Sequence, residues 1–302
     1  MALWFFSPED DAAAWRAALQ SRLPDLAVET GGRPAAPDAI RYALVFRPPP
    51  GALAALPRLE AVFSLAAGVD RLLADPTLPP VPVCRMVDPA LEAAMADYVH
   101  LALLRVQRGF DVFEHRRDWS FAMPRLAAET GVAVLGLGRI GAAVAARLAA
   151  HGYRVTGWSR TAKCLAGVAT YEGPDGLAAA VAEADVVVGL LPATPATRDI
   201  FDAAFFQLLR PGAHFVNVGR GEHVVDGDLL AALDAGRLAG ATLDVFRTEP
   251  LPAGHPYWEH PQVLVTPHVA AITRPETGAA AVAENIRRAR DGRPLLHVVD
   301  RD

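Results

Sequence analysis

Residues 131–160 read GVAVLGLGRIGAAVAARLAAHGYRVTGWSR, and this segment carries the clearest fold signal in the chain. A short apolar, β-branched run at 132–135 predicts a buried strand, and Tyr153–Trp158 predicts a second one. Between them lie a glycine-rich turn and an alanine-rich helix, which we expect to end at Gly152, the usual place for a C-terminal glycine. Strand, turn, helix and strand in this order predict a βαβ unit of a doubly wound α/β sheet.

The turn of this unit has the pattern G-x-G-x-x-G and reads Gly136-Leu137-Gly138-Arg139-Ile140-Gly141. In a dinucleotide-binding unit the first glycine permits a tight turn, the second lets the backbone approach a pyrophosphate, and the third lets helix and strand pack closely. The free N–H groups and the positive end of the helix dipole would then face the anion. The alternative is a glycine-rich turn in another kind of α/β unit, and the order of the surrounding elements favours the dinucleotide site.

The end of the second strand indicates which dinucleotide is bound. NAD-selective sites place a carboxylate there, about twenty residues after the turn, to bind the ribose 2′-hydroxyl. This chain instead has Ser159 and Arg160, with Lys163 close behind. Two cations and a hydroxyl group suit a 2′-phosphate, so we expect NADP. NAD remains the alternative if Arg160 and Lys163 are only solvated loop charges.

The strands that follow are expected to end at the same edge of the sheet, where such folds bind ligands. The candidates are Asp185–Leu190, His214–Asn217, Ala241–Val245 and Val263–Thr266, with helices at Asp226–Ala235 and Pro275–Asp291. By position, Leu190 and Pro192 are expected to contact the dinucleotide. Thr197 either contacts a phosphate or caps a helix.

Three ionisable residues also follow predicted strands in this half of the chain: Arg220, Glu249 and His268. Reduction of a carbonyl group needs a proton donor and a group that holds the substrate. Histidine is the natural donor near neutral pH, a neighbouring glutamate orients it and favours its charged form, and arginine binds a carboxylate through two hydrogen bonds. Each residue alone is more often structural. Together with the dinucleotide turn, they favour an enzymatic site.

Residues 1–97 contain another set of alternating elements. The predicted strands are Ala2–Phe6, Tyr42–Phe46, Leu59–Ser64 and Val83–Met86, and Asp10–Leu23 is a predicted helix. Ala67, Gly68 and Val69 follow the third strand, and their small size and free N–H groups suit an anion, although a tight loop without a ligand has the same spacing. A long helical pattern at Pro89–Phe110 predicts a link between domains or a subunit contact, with a plain core helix as the alternative. Residues 111–130 are charged and irregular.

The composition limits the function classes. The chain has 302 residues, enough for two domains, and its net charge of −5 gives no electrostatic argument for nucleic acid or an acidic membrane. Its N-terminus lacks a basic signal-peptide region, and no apolar run is long enough to span a bilayer, so we expect a cytoplasmic protein. Cys84 and Cys164 fit no metal-ligand spacing, so we expect reduced thiols and no metal.

With these motifs in place, the sequence resembles the D-isomer-specific 2-hydroxyacid dehydrogenases, most closely the glyoxylate/hydroxypyruvate reductase A group. The resemblance rests on WSRTAK, NVGRGEHVVDGDLLAAL, LDVFRTEPLP and VTPHVAAITRP, and it is densest from 131 to 275. It implies a Rossmann cofactor domain at 98–270, inserted in a discontinuous flavodoxin-like substrate domain made of residues 1–97 and 271–302. It also implies a homodimer, and NADPH-dependent reduction of a small 2-oxoacid, such as glyoxylate or hydroxypyruvate, to a D-2-hydroxyacid.

The same resemblance assigns roles to individual residues. It makes His268 the proton donor, Glu249 its partner, Arg220 the ligand of the substrate carboxylate and carbonyl, and Ala67-Gly68-Val69 the loop that holds the carboxylate. Asp244 would lie near the nicotinamide amide. Further expected cofactor contacts are Val218, Gly219, His268 and Ala270.

The substrate side departs from the group at one place. The group tends to have a tryptophan after the second strand, where this chain has Phe46-Arg47, so Phe46 is the expected substrate contact. Arg47 and Arg274 are extra cations that either reach the substrate or face solvent.

Two other functions fit the same fold. One is an NAD-dependent D-2-hydroxyacid dehydrogenase with a different substrate range, and the other is a dinucleotide-sensing binding protein. The set of Arg220, Glu249 and His268 argues against the sensor, because a sensor needs no proton donor.

Overall fold

The computed structural model describes residues 1–114, 116–119, 121 and 123–301. The chain divides into two compact units, which we call the first unit (residues 1–91 and 272–302) and the second unit (residues 92–271). The chain therefore passes between the units twice, at 91–92 and at 271–272.

The first unit is built on a five-stranded parallel sheet with strand order β2-β1-β3-β4-β5, the flavodoxin-like order. Its strands are β1 (Ala2–Phe6), β2 (Ala27–Thr30), β3 (Ile40–Val45), β4 (Ala61–Ser64) and β5 (Val83–Cys84). Its helices are α1 (Ala12–Gln20), α2 (Asp70–Leu73) and, from the C-terminal part of the chain, α9 (Pro275–Arg290), with a 3₁₀ turn at Pro37–Ala39.

Helices α1 and α9 cover one face of this sheet. The Asp11 carboxylate accepts hydrogen bonds from Ala13 N and Ala14 N and so caps α1, which buries Trp15 and Leu19. These side chains share a core with Val282 and other residues of α9. The C-terminal segment thus completes the core that the N-terminal segment begins.

The second unit contains a seven-stranded parallel sheet with strand order β12-β11-β10-β9-β6-β7-β8. Its strands are β6 (Gly131–Leu135), β7 (Arg154–Ser159), β8 (Val168–Glu172), β9 (Val186–Gly189), β10 (Ala213–Asn217), β11 (Leu238–Leu243) and β12 (Val263–Val265). Its helices are α3 (Pro89–Gln107), which begins just before the unit boundary, α4 (Phe110–Phe113), α5 (Arg139–His151), α6 (Gly173–Val181), α7 (Ala203–Leu208) and α8 (Asp226–Asp234), with 3₁₀ turns at Ala127–Glu129, Gly221–His223 and Pro256–Trp258.

Helices cover both faces of the larger sheet, as a parallel sheet requires. Val99 and Leu103 of α3 and Val144 of α5 belong to the core on one face. Phe205 of α7 and Leu229 of α8 belong to the core on the other. The direction of strand addition reverses between β6 and β9, which makes their carboxyl ends the switch point of a Rossmann sheet. The predicted fold class, two doubly wound α/β parts with a Rossmann sheet in one, is confirmed.

Several elements were not predicted from the sequence, among them β2, β8, α6 and α7. The segment predicted to be irregular, 111–130, holds most of α4 and one 3₁₀ turn, while residues 115, 120 and 122 lie outside the described part. Among the described residues, no helix has the length and apolarity needed to cross a membrane.

Candidate functional site

The glycine turn lies at the switch point, directly after β6. Gly136 has a φ of 108°, and a Cβ built on it would lie 2.5 Å from the Leu190 carbonyl oxygen at the end of β9. A Cβ on Gly141 would lie 1.8 Å from the Gly136 oxygen. The packing of the protein itself therefore requires glycine at both positions.

Gly138 differs from its two neighbours in the motif. Its φ of −68° is open to any residue, and a Cβ there would meet no atom of the described residues within 4 Å. It is the N-cap of α5, and no described side chain caps this helix end. Open space above Gly138 and unbonded N–H groups at a helix start form a cradle that fits a pyrophosphate.

The end of β7 lies beside this turn, because Gly136 N donates a hydrogen bond to Trp158 O over 2.8 Å. Ser159 is buried and its hydroxyl group donates to Thr161 O over 2.7 Å, so its hydrogen serves the loop. Arg160 and Lys163 are exposed, and neither side chain has a hydrogen-bond or ion-pair partner among the described residues. Two uncompensated cations beside the glycine turn suit a 2′-phosphate.

Strand register adds a residue that sequence reasoning missed at this edge. Ser159 pairs with Glu172 at the end of β8, so one carboxylate is present on the neighbouring strand. The β8 strand was not predicted, and without it Glu172 has no sequence signal that places it here.

The loop after β9 holds Leu190, Pro192 and Thr197. Leu190 N donates to Leu135 O over 2.8 Å, which joins this loop to the end of β6. The Thr197 hydroxyl group donates to Pro192 O over 2.7 Å and accepts from Thr194 N over 2.9 Å. Thr197 therefore closes its own loop. The suggestion that it caps a helix is wrong, because α7 starts later and Asp202 is its N-cap.

The loop after β10 brings Arg220 to the same region. Val218 N donates to Gly189 O over 3.1 Å, and a Cβ on Gly219 would lie 3.1 Å from Leu191 O. The Asn217 amide shapes the turn, since it accepts from Gly219 N over 3.2 Å and donates to Arg220 O over 3.0 Å. Arg220 is half-buried and donates from Nη1 to Gly219 O over 2.8 Å.

His268 and Glu249 form a hydrogen-bonded pair, although they come from different loops. His268 Nδ1 lies 3.1 Å from both Oε1 and Oε2 of Glu249. The Glu249 side chain is only 8% exposed and also accepts from Phe246 N over 3.1 Å, whereas the His268 side chain is 39% exposed. A carboxylate accepts hydrogen bonds, so Nδ1 carries a hydrogen and Nε2 is the nitrogen that can exchange a proton with a substrate.

Asp244 holds the loop that carries His268. Its carboxylate accepts from Val269 N over 2.8 Å and Ala270 N over 2.9 Å, and its main-chain oxygen accepts from His268 N over 2.9 Å. Burial raises the pKa of Asp244, against the opposing effect of these bonds. In the segment that these hydrogen bonds hold, His268 has a φ of 56°, in the left-handed region that costs a non-glycine residue about 1–2 kcal/mol. Both oxygens of the Asp244 carboxylate accept hydrogen bonds from this loop.

The first unit contains the other predicted substrate residues. Phe46 follows β3, and the Arg47 guanidinium lies 5.0 Å from the centre of its ring and 2.8 Å from the Glu9 carboxylate. Ala67, Gly68 and Val69 follow β4, and their N–H groups donate to no acceptor among the described residues. Three adjacent unbonded amides suit a carboxylate.

The loop before these amides is firmly held. Leu65 N donates to Val45 O over 3.0 Å, and the Thr273 hydroxyl group donates to Leu65 O over 2.6 Å. The second bond ties the loop to the C-terminal segment, beside the exposed Arg274. Arg274 has no side-chain partner among the described residues.

Comparisons with known proteins identify the family of the chain. The family model described as D-isomer specific 2-hydroxyacid dehydrogenase, NAD binding domain, matches residues 98–270. Glyoxylate/hydroxypyruvate reductase A of Serratia proteamaculans is 40% identical over 309 residues, which cover 99% of this chain and 98% of that protein.

Solved structures of the same family are also similar to this chain over nearly its whole length. A D-isomer specific 2-hydroxyacid dehydrogenase from Xanthobacter autotrophicus Py2, in complex with NADPH and MES, is 45% identical with a TM-score of 0.95, covering 99% of this chain and 98% of that one. An NADPH-dependent glyoxylate/hydroxypyruvate reductase from Sinorhizobium meliloti, in complex with NADP and sulfate, is 38% identical with a TM-score of 0.93 and the same coverage.

Proposed function

The chain belongs to the D-isomer-specific 2-hydroxyacid dehydrogenase family, and from this premise we propose that it reduces small 2-oxoacids, glyoxylate and hydroxypyruvate, to 2-hydroxyacids of the D series with NADPH. The observation that carries the proposal is the His268–Glu249 pair, in a unit that also presents an open glycine turn. The similarity to NADPH-dependent reductases supports the substrate class and the cofactor.

We propose that the second unit binds the dinucleotide. The space above Gly138 and the first amides of α5 receive the pyrophosphate, and Arg160 and Lys163 pair with the 2′-phosphate. Leu190, Pro192, Val218, Gly219 and Ala270 belong to loops at the same carboxyl edge of the sheet and complete the binding site. When bound, NADPH supplies the hydrogen and the electron pair that the carbonyl carbon receives.

The residues of the chain bind and protonate the substrate. Arg220 binds the carboxylate and polarises the carbonyl oxygen. Within the first unit, the amides of Ala67, Gly68 and Val69 are the groups that we propose for carboxylate binding. As the carbonyl oxygen gains charge, His268 Nε2 donates its proton to it. Glu249 holds Nδ1–H and stabilises the charged ring before that transfer. One oxoacid, one proton and one NADPH thus give one hydroxyacid and NADP⁺.

The assembly and location are also part of this proposal. We expect a homodimer in the cytoplasm, and the two free cysteines agree with a reducing compartment. Many large apolar side chains in the second half of α3 and between α3 and β6 are exposed and suit a contact with a second copy: Leu101, Phe110, Val112, Phe113, Trp119, Phe121, Met123 and Leu126. Replacing Phe110 by Glu should give monomers in light scattering, whereas the same change at the exposed Leu208, elsewhere in the second unit, should leave the dimer intact.

The proposed reaction is tested by replacing His268. With glyoxylate and NADPH, H268A should lower kcat by about 10²–10⁴-fold, the usual loss for a general acid, and leave the Kd for NADPH nearly unchanged. His255 offers a matched control because it also faces a carboxylate, with Nε2 3.6 Å from Asp226, and H255A should keep full activity. Unchanged turnover in H268A would remove this histidine from the reaction.

The wild-type protein separates the alternative functions in the same assay. Binding of NADPH without reduction of any 2-oxoacid would favour the dinucleotide sensor. Preferred oxidation of a hydroxyacid with NAD⁺ would favour the NAD-dependent dehydrogenase.

A further inference from the structure

Tyr98 belongs to α3 and is not among the site residues predicted from the sequence. Its hydroxyl oxygen lies 2.6 Å from Thr266 Oγ1, and Thr266 Oγ1 donates to Asp244 Oδ1 over 2.6 Å. Asp244 is the residue that holds the His268 loop. A chain of short hydrogen bonds therefore runs from α3 to the loop of the proposed proton donor.

We propose that Tyr98 is a positioning residue for the proposed reaction, which holds His268 in its productive orientation through Thr266 and Asp244. The inference rests on the proposed function, because it assigns Tyr98 an effect on the step that His268 performs.

The direction of the hydrogen bonds follows from the chemistry of the groups. A carboxylate only accepts, so the single hydrogen of the Thr266 hydroxyl group goes to Asp244. Thr266 then offers only lone pairs to Tyr98, which must donate. Burial raises the pKa of Tyr98 to about 12, so the phenol retains its hydrogen at neutral pH. The direction of each hydrogen bond in this series is therefore fixed: Tyr98 donates to Thr266, and Thr266 donates to Asp244.

The series of hydrogen bonds leads from Tyr98 to the His268 loop, which has an unfavourable backbone conformation at His268. Asp244 binds the amides of three successive residues, His268, Val269 and Ala270, and His268 has its φ of 56° within that segment. A left-handed non-glycine residue persists where its surroundings over-determine it. The hydrogen bond from Thr266 fixes the position of Asp244 Oδ1, and Asp244 in turn fixes the backbone that orients the His268 imidazole ring.

The anchoring end is packed in the protein core. Val99 and Leu103, which follow Tyr98 in α3, are completely buried in the core beneath the sheet. Helix α3 begins where the chain enters the second unit, and the His268 loop ends where it leaves. The Tyr98–Thr266 hydrogen bond joins these two segments inside the second unit.

The variant Y98F removes the donor and keeps the ring. We expect the amides of Val269 and Ala270 to exchange with solvent about three- to tenfold faster, and kcat to fall by a similar factor with the KM values for NADPH and glyoxylate unchanged. Tyr153 gives a matched control: it is buried, and its hydroxyl group donates over 2.7 Å to Gln107, also on α3. Y153F should change neither the exchange of these amides nor kcat.

A double-mutant cycle tests whether Tyr98 acts through Thr266. T266V should lower kcat at least as much as Y98F, T266S should restore it, and Y98F/T266V should lose no more than T266V alone. Independent losses that multiply in the double variant would overturn the proposal. Equal exchange and equal kcat in Y98F and wild type would also overturn it.

The exchange measurement separates this proposal from the proposed function. If the wild-type protein reduces no 2-oxoacid, the proposed reaction fails, yet faster exchange at Val269 and Ala270 in Y98F still shows that Tyr98 holds the loop. If the wild-type protein is active and Y98F loosens the loop without lowering kcat, the reaction stands and the positioning role fails.

Discussion

An alanine at Gly138 should abolish tight NADPH binding and leave the fold intact. The φ of −68° suits alanine, and the new methyl group meets no atom of the described residues within 4 Å. Stability should therefore be unchanged or rise by about 0.4–1 kcal/mol, the usual gain from restricting the unfolded chain. The methyl group would occupy the space proposed for the pyrophosphate.

The loss of affinity follows from the bonds that this displacement removes. A hydrogen bond to a charged group contributes about 1.5–3 kcal/mol, so losing one raises Kd by about 10- to 100-fold. NADPH binding by calorimetry and thermal unfolding of the same samples measure the two effects separately. Undiminished NADPH affinity in G138A would refute the placement of the pyrophosphate.

Two glycines serve as controls. G141A puts a Cβ 1.8 Å from a carbonyl oxygen, so it should destabilise the fold by about 1–3 kcal/mol or more. G227A, in the first turn of α8, also meets no atom of the described residues within 4 Å, but it lies outside the glycine turn. It should be stable and bind NADPH normally.

Three further predictions concern single side chains. R160A should weaken NADPH binding by about tenfold or more and leave NADH binding unchanged, and an equal loss for both cofactors in a binding titration would contradict the 2′-phosphate contact. Iodoacetamide should modify only Cys164 in the folded protein, because Cys84 is buried and its burial raises the thiol pKa to about 11; mass spectrometry that finds both modified would refute this. Burial lowers the pKa of His214 to about 3, against about 6.5 in the unfolded chain. Between pH 6.5 and 3 the unfolded state therefore binds a proton at His214 that the folded state does not, so the free energy of unfolding falls as the pH falls. Unfolding in urea should show about 2 kcal/mol of this penalty at pH 5, and H214Q should remove it; the same pH dependence in both proteins would be the contrary result.

The sequence predicted the elements whose local patterns agree with their surroundings. The strand at β6 and the helix α5 have the expected apolar runs, and Gly152 ends that helix with a φ of 101°. Elements that form because of tertiary packing, without a local sequence pattern, were not predicted. Strand β8 contains no buried residue, and α6 contains Gly173 and Gly176, which disfavour a helix.

The candidate site was predictable by residue type and less so by arrangement. Strand ends in a parallel sheet share an edge, which identified Arg220, Glu249 and His268 as candidates. The link between Tyr98 and Thr266 spans 168 residues, and neither residue belongs to a local motif that signals the other. The positive φ of His268 likewise depends on the hydrogen bonds of a buried Asp244, and no sequence pattern reports it.

The reduction of small 2-oxoacids with NADPH is the activity that we propose for this chain. Its most direct test is the steady-state oxidation of NADPH and of NADH by the wild-type protein at neutral pH, with glyoxylate, hydroxypyruvate, pyruvate and a bulky aromatic 2-oxoacid. We predict that kcat/KM is highest with NADPH and either glyoxylate or hydroxypyruvate, by about tenfold over NADH, which is about 1.4 kcal/mol in transition-state stabilisation. Preference for NADH, or no turnover with any of the four acids, would contradict the claim.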